Sequence, residues 1–368
     1  MHVAINALCI TNRSGTGRYA YGLIDGLVRI STGAVRFSIF VPSDFTLPQA
    51  WRSHPSLAFY SIAAAGALQR VYYEQFQLPA LLKTIQPGVL HSPAFIAPVD
   101  APKHIRQVVS IHDLAFLRFP ETIPSLRLAY YRWAIPRSMR LASRILTDAP
   151  SVIMQMKEFG IGGNASAVPL GVDTRVFHPK ASDEDAAVIA HYGIKPPYIL
   201  FVGTQEPRKN LPMLLRAFQT AREHGLGRQL VLAGRQGWLQ SQSTQEGVHR
   251  IGFVADEHLP ALYRQAEAFA APSLDEGFNL PAAEARACGA PVIASDIAVH
   301  RETLGQQAVY ISPHEVEGWA TALASLQDCD GGLFRLSGQA ARPLFNSVRD
   351  WTDVAKDTVD IYTELLAG

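Results

Sequence analysis

The strongest constraint on this chain is a series of short, uninterrupted apolar runs separated by longer stretches of helical periodicity. In the first half the runs are HVAINAL (2–8), RFSIFVP (36–42), GVLHSP (88–93), QVVSIHD (107–113) and RILTDA (144–149), followed by SAVPLGV (166–172). In the second half they are PYILFVG (197–203), RQLVLAG (228–234), VHRIGFV (248–254), AFAAPS (268–273), APVIAS (290–295) and AVYIS (308–312). A strand that is apolar at every position, rather than at alternate ones, is covered on both faces. Patterns such as NLPMLLRAFQTARE (210–223) and DEHLPALYRQAE (256–267) supply helices for those covers. The chain therefore reads as α/β, with doubly wound parallel sheets.

The length, 368 residues, accommodates two such domains. Their boundary is expected near PLGVDTRVFHPKASDED (169–185), a stretch rich in Pro, Asp and turn formers. This gives an N-terminal domain over 1–172 and a C-terminal domain over 173–349. The closing segment RDWTDVAKDTVDIYTELLAG reads as an amphipathic helix, with Trp351, Val354, Val359, Tyr362 and Leu365 on its buried side. Two sheets of this kind facing each other present strand carboxyl ends to a central cleft, where ligands bind in open α/β folds.

A net charge of +1 argues for neither nucleic acid nor an acidic partner. The three cysteines, Cys9, Cys288 and Cys329, have neither zinc spacing nor a disulfide framework, which suits a reducing cytoplasm. The N-terminus lacks a basic n-region and a small-residue cleavage site, and no run approaches the roughly 20 apolar residues that span a bilayer. A cytoplasmic protein is expected, either free or peripheral on the inner face of the membrane.

Four motifs carry chemistry. TNRSGTGRYAYGL (11–23) follows the first strand; Gly15 and Gly17 permit positive φ and close approach to a ligand, or simply serve a strand–helix turn. In SIHDLAF (110–116), His112 stands at a strand end, either as a neutral imidazole for hydrogen bonding or as a core-edge histidine satisfied by backbone. FVGTQEPRKNLPMLLRAF (201–218) places Arg208 and Lys209 ahead of a helix that Asn210 can cap, an arrangement suited to a diphosphate or merely a polar loop. In SLDEGFNLPAAEARACG (273–289), Asn279 is a plausible cap, Pro281 suits the first turn and Gly289 closes the helix. Glu276 and Glu284 flank this helix N-terminus, an anion site. A ligand with an anionic centre and hydroxylated ends, such as a nucleotide sugar, reconciles the two; a glycoside-hydrolase pair or a surface pair are the alternatives.

EGFNLPAAE resembles the Glu–seven residues–Glu motif of retaining glycosyltransferase family 4. The resemblance extends in order through SGTGRY, HSPAF, SIHDLAF, VPLGVDTRVFHP, FVGTQEPRKNL, LVLAGRQGW, IGFVADEHLPALYRQAEAFAAPSLDEGF and GAPVIASD to the final helix. It implies the GT-B fold: two Rossmann-like domains, the first for the acceptor and the second for the nucleotide-sugar donor, with residues 350–368 packing back on the first. It also implies roles. Lys209 contacts the donor diphosphate, and Arg208 adds a second charge. Glu284 holds the ribose hydroxyls and Glu276 those of the transferred sugar. The amides of Gly277, Phe278, Asn279 and Leu280 lie near sugar and phosphate, and Phe253 and Val254 flank the base. His112 acts beside the sugar, while Gly15 and Gly17 lie close to the diphosphate or the acceptor. Many relatives have Arg where this chain has Thr204, and Gly where it has Asn279.

The form GTQEPRKN resembles bacterial mannosyltransferases of surface-polysaccharide and lipopolysaccharide assembly. The expected donor is GDP-mannose and the expected acceptor a saccharide or lipid-linked saccharide. The alternatives are a UDP- or dTDP-sugar donor, a nucleotide-sugar epimerase, or a non-catalytic nucleotide-sugar binder. No Asp-x-Asp pair stands at a strand end, so neither a metal nor another cofactor is expected. Finally, IPSLRLAYYRWAIPRSMRLASRIL (123–146) mixes aromatics with Arg127, Arg132, Arg137, Arg140 and Arg144. It is either an ordinary domain helix or one that rests on an anionic membrane.

Overall fold

The computed structural model describes residues 1–12, 15–31, 33–64, 66–235, 245–327 and 348–367. Cys329, Ser14 and the GlnGlyTrp portion of LVLAGRQGW lie outside the described residues. The chain divides into two compact units, Met1–Gly171 with Arg349–Gly368, and Val172–Val348.

The first unit contains a seven-stranded parallel sheet: β1 (His2–Asn6), β2 (Arg36–Pro42), β3 (Leu57–Ile62), β4 (Val89–Ser92), β5 (Arg106–Ser110), β6 (Arg144–Thr147) and β7 (Ala165–Ala167). Their order is β3-β2-β1-β4-β5-β6-β7. The central strands are buried along nearly their whole length, as uninterrupted apolar runs require. β3 was not expected. It lies at the sheet edge with most of its residues partly exposed, so its sequence lacks the continuous apolar signature.

The final helix, Trp351–Ala367, packs on the helix Gly15–Ile30. Two glycines make the approach possible. A Cβ on Gly22 would stand 2.2 Å from the Trp351 indole, and one on Gly26 would stand 2.1 Å from the Trp351 carbonyl oxygen. Trp351, Val354 and Tyr362 are buried as expected, but Val359 and Leu365 are only partly covered. Their places are taken by Ala355, Thr358 and Ile361. Tyr362 reaches the sheet through its hydroxyl, 2.6 Å from His91 Nδ1; His91 Nε2 lies 2.8 Å from Ser110 Oγ, which in turn meets the Tyr19 hydroxyl.

The second unit repeats the plan with six parallel strands: β8 (Tyr198–Val202), β9 (Gln229–Ala233), β10 (Val248–Gly252), β11 (Ala268–Ala271), β12 (Val292–Ser295) and β13 (Ala308–Ile311). Their order is β10-β9-β8-β11-β12-β13. Ile199, Leu214, Phe218, Leu230 and Trp319 lie in its main core. In each sheet the strand order reverses once, between β1 and β4 and between β8 and β11. Such a switch point leaves a crevice at the carboxyl ends of the two strands.

The segment 123–146 does not form one helix. The helix Ser125–Leu141 ends before Arg144, which begins β6 and hydrogen-bonds Ser166 Oγ at 2.9 Å. Arg144 thus belongs to the strand that the run RILTDA announces and not to the helix. Among the described residues no helix is long and apolar enough to cross a membrane.

Candidate active site

Two loops meet at the switch point of the second sheet. One leaves β8 and forms the 3-10 turn Pro207–Lys209; the other leaves β11 and enters the helix Leu280–Ala287. The Leu274 N–H joins them by donating to the Arg208 carbonyl at 2.9 Å. Glu276 is 4% exposed and lies at their junction. Its Oε1 accepts from Lys209 Nζ at 2.6 Å and Ser273 Oγ at 2.7 Å, and its Oε2 accepts from Arg208 Nη1 at 2.9 Å. Burial alone would push the carboxyl up. Lys209, and then Arg208, outweigh it and hold Glu276 at about 2, a carboxylate under all ordinary conditions. Arg208 also donates to the Asp275 carbonyl and to Glu206 Oε1, both at 2.9 Å, so its guanidinium clamps the two loops together.

The chain then turns into its helix through Asn279, whose φ of 72° is left-handed. Glycine adopts this region freely and asparagine better than other side chains. The Asn279 side chain is fixed at both ends. Its Oδ1 caps the helix at the Ala282 N–H, 3.3 Å away, and its Nδ2 donates to His300 Nε2 at 2.9 Å. His300 Nδ1 lies 2.8 Å from the Ser295 carbonyl, which can only accept, so this ring is the neutral Nδ1–H tautomer. Burial lowers its pKa in the same sense.

The N–H groups of Gly277, Phe278, Asn279 and Leu280 donate to no other described group. They form a row of donors at a helix N-terminus next to two cations, a geometry that receives an anion. One turn further on, Glu284 is buried and accepts from the Tyr263 hydroxyl at 3.1 Å. Gly289, at φ 82°, closes the helix, with the Ala290 N–H reaching back to the Ala285 carbonyl.

Residues 13–176 match the family model described as Glycosyltransferase Family 4, and residues 196–328 match that of Glycosyl transferases group 1. The O-antigen chain mannosyltransferase B of Escherichia coli is 32% identical over 67% of this chain and 67% of its own length. The chain belongs to glycosyltransferase family 4. Solved structures agree on the fold of this family 4 glycosyltransferase. Sucrose-phosphate synthase from Thermosynechococcus elongatus superposes with a TM-score of 0.74 at 18% identity, covering 100% of this chain and 99% of the other. Anabaena HepE in complex with UDP-glucose gives 0.73 at 14% identity, covering 99% and 100%. With the two parallel sheets described above, these place the enzyme in the GT-B class.

The other expected site residues of this glycosyltransferase are distributed as follows. Val254 is buried just beyond β10, whereas Phe253 is exposed and carries the Arg235 guanidinium 5.4 Å from its ring centroid. Arg235 was overlooked in the sequence, although a cation two positions past the end of β9 is itself a strand-end signal. Thr204 is exposed, and its carbonyl accepts the Glu206 N–H. Asn210 occupies the cap position of its helix, but its side chain makes no cap. Its Nδ2 instead bonds the carbonyls of Pro272 and Pro313, tying the loop after β8 to those after β11 and β13.

Three expected site residues belong to the first unit. Gly15 and Gly17 begin the helix Gly15–Ile30, and neither has positive φ. Gly17 is required by the chain itself, since a Cβ there would stand 1.9 Å from the Asn12 carbonyl oxygen, whereas Gly15 faces open space. His112 is buried and held partly by backbone, as one of its two readings expected. Its Nε2 lies 2.8 Å from the Pro93 carbonyl and its Nδ1 2.9 Å from Asp148 Oδ2, so both nitrogens face acceptors. Burial pushes its pKa down, but the Asp148 carboxylate reverses this and leaves it raised.

Proposed function

We propose that this glycosyltransferase is a retaining enzyme that moves mannose from GDP-mannose to a saccharide or lipid-linked saccharide in surface-polysaccharide assembly. The observation behind this reading is the Glu276–Lys209–Arg208 junction beside the unpaired N–H row at 277–280. Together these offer cations and amides to a diphosphate and carboxylates to sugar hydroxyls. The mannosyl choice is favoured by the E. coli relative's name, and the guanine base by the sequence resemblance alone. The UDP-glucose complex of HepE keeps a uridine donor as the competing choice.

In this reading the second unit takes the donor and the first the acceptor. As the bond from sugar C1 to the phosphate oxygen breaks, negative charge grows on the departing diphosphate. Lys209 and the helix N-terminus stabilise that charge from fixed positions. Glu276 and the amides hold the transferred sugar, Glu284 the ribose, and Phe253 with Val254 the base. His112 serves on the transferred sugar through its backbone, since Asp148 and Pro93 occupy both nitrogens of its ring. The acceptor hydroxyl enters on the face the phosphate leaves and passes its proton to that phosphate. No side chain serves as a covalent nucleophile, and no metal is required.

A membrane-associated acceptor is favoured by a separate observation. Leu68, Tyr72 and Phe76 form an exposed stripe at helical spacing, and Leu126 and Trp133 are exposed on the helix that also presents Arg127, Arg132, Arg137 and Arg140. Apolar and cationic side chains in this combination suit an anionic bilayer surface. Co-sedimentation with anionic vesicles, lost when these arginines become Gln, is the expected result; no binding would remove this part.

The transfer reading is tested by incubating the protein with GDP-mannose, UDP-glucose and dTDP-rhamnose and a panel of saccharide acceptors, then assigning the product by NMR. An α-mannoside formed from the α-linked donor is expected. A product of inverted configuration would refute retention, preference for a uridine or thymidine donor would refute the mannosyl choice, and a changed sugar released without acceptor would identify an epimerase.

A further inference from the structure

A second helix holds the loop that carries the N–H row at 277–280. The helix Ala298–Leu304 follows β12 and turns His300 and Thr303, three positions apart and so on one face, towards that loop. Thr303 Oγ1 donates to the Phe278 carbonyl at 2.9 Å, and His300 Nε2 accepts from Asn279 Nδ2 at 2.9 Å. Two adjacent loop residues are thus gripped from one side. A peptide is planar and trans, so the carbonyl of one residue and the N–H of the next point in opposite directions. With the Phe278 carbonyl drawn to Thr303, the Asn279 N–H points away from that helix. The Asn279 carbonyl accepts from the N–H groups of Ala282 and Ala283 at 3.1 and 3.2 Å, which turns the Leu280 N–H out of the first helical turn.

The His300 ring also decides which way the Asn279 amide faces. It is 0% exposed, and its Nδ1–H is committed to the Ser295 carbonyl, so Nε2 offers only a lone pair. The NH2 end of Asn279 meets that lone pair, and Oδ1 is left for the Ala282 N–H. Turning the amide over would set two acceptors together at His300 and two donors together at Ala282. Pro281 has no N–H, and Asn279 satisfies both Ala282 and Ala283. Of the first helical turn, the Leu280 N–H is therefore the donor left open. The supporting helix is itself anchored. The Tyr310 hydroxyl lies 3.3 Å from the His300 carbonyl and 2.5 Å from that of Gly305, and Arg286 Nη1 donates to the Thr303 carbonyl at 3.1 Å.

We propose that His300 and Thr303 are positioning residues of this glycosyltransferase: they aim the N–H groups of Asn279 and Leu280 and reach no ligand themselves. That those N–H groups meet the donor rests on the reading given under the proposed function. His300 is sealed from solvent and acts through the Asn279 side chain; Thr303 acts through the Phe278 carbonyl. Donors fixed before the ligand arrives need no reorganisation when charge develops on it. Misplacing such groups by about 1 Å costs on the order of 10²-fold in rate.

The test titrates GDP-mannose, and UDP-glucose beside it, into the full chain by calorimetry, with Tm recorded for every sample. Wild type is expected to bind one of them. His300→Leu leaves Asn279 Nδ2 without an acceptor and should bind that ligand about tenfold more weakly. His300→Gln offers an amide oxygen in place of Nε2 and should stay within about threefold of wild type. Thr303→Val keeps the outline of the side chain, loses only the hydroxyl and should bind about threefold more weakly; it carries the test if His300→Leu does not fold. A loss caused by general loosening persists in any background, whereas one transmitted by Asn279 does not. In Asn279→Gly, adding His300→Leu should therefore change affinity by less than about twofold, while adding Thr303→Val still weakens it about threefold. Wild-type affinity in either His300→Leu or Thr303→Val, or a His300→Leu loss that recurs in full in Asn279→Gly, would overturn the assignment and leave the donor reading standing. No nucleotide sugar bound by wild type would defeat the donor reading and this assignment with it.

Discussion

Replacing Glu276 with Gln keeps the shape of the junction and removes its charge, so its effect follows from the electrostatics of the site. The carboxyl is held at about 2 against an ordinary value of 4.5. At about 1.4 kcal/mol per pH unit, that gap corresponds to about 3 kcal/mol of stability at neutral pH. Lys209 and Arg208, at 14% and 13% side-chain exposure, would be left facing each other without their shared counter-charge. For a unit of this size the loss lowers Tm by about 6–12 °C. A depressed carboxyl stabilises the fold above its unfolded value and loses that contribution as pH falls through the folded one. The difference between wild type and variant therefore shrinks to about 1 kcal/mol at pH 3 and vanishes below pH 2. Differential scanning calorimetry at pH 7 and pH 3 reads both quantities, with Glu206→Gln as the control. The Glu206 carboxylate bonds the other terminal nitrogen of Arg208, is 25% exposed and does not touch Lys209, so its loss costs about 1 kcal/mol. A Glu276→Gln transition within about 2 °C of wild type at pH 7, or a difference that stays constant down to pH 3, would refute this description of the junction.

Asn279→Gly and Asn279→Ala both lose the cap and leave the buried His300 Nε2 unpaired, but only alanine is also strained at a φ of 72°, so Asn279→Ala should cost about 1 kcal/mol more than Asn279→Gly. Equal Tm values for the two variants would contradict this. Tyr362→Phe leaves His91 Nδ1 unpaired in a buried site and should destabilise the first unit by about 1–3 kcal/mol in denaturant titration; no change would mean that the bond contributes nothing. His112, raised above its ordinary 6.5, contributes stability that is complete below that value and is lost as pH rises through the raised one. Alkaline pH should therefore lower the first-unit transition, and His112→Gln should flatten that dependence; an unchanged alkaline limb in the variant would count against the His112–Asp148 pair.

Most strands were legible in the sequence because a parallel sheet buried on both faces leaves continuous apolar runs. β3 escaped notice for the converse reason, since an edge strand need not be apolar throughout. The buried face of the last helix was read correctly at Trp351, Val354 and Tyr362 and misread at Val359 and Leu365. The contact with Gly22 and Gly26 lets the small residue Ala355 and the polar Thr358 into the interface, and a hydrophobicity pattern cannot anticipate that. Glu276, Lys209 and the helix cap were visible as local motifs. The pairing of Glu276 with both Lys209 and Arg208 was not, because the partners are 67 and 68 positions apart. The charge state of His112 depends on Asp148 at the end of β6, 36 positions away. The grip of His300 and Thr303 on the loop spans 21 and 25 positions, beyond any local motif.

The central claim, that the second unit holds a nucleotide-diphosphate sugar at the Glu276–Lys209 junction without a metal, is tested most directly by calorimetric titration of GDP-mannose into wild type and Lys209→Ala, each with and without EDTA. The account predicts saturable binding by the wild type that EDTA leaves unchanged, weakened by at least about tenfold in Lys209→Ala. Equal affinity in the variant, abolition by EDTA, or no binding of any nucleotide sugar would contradict it.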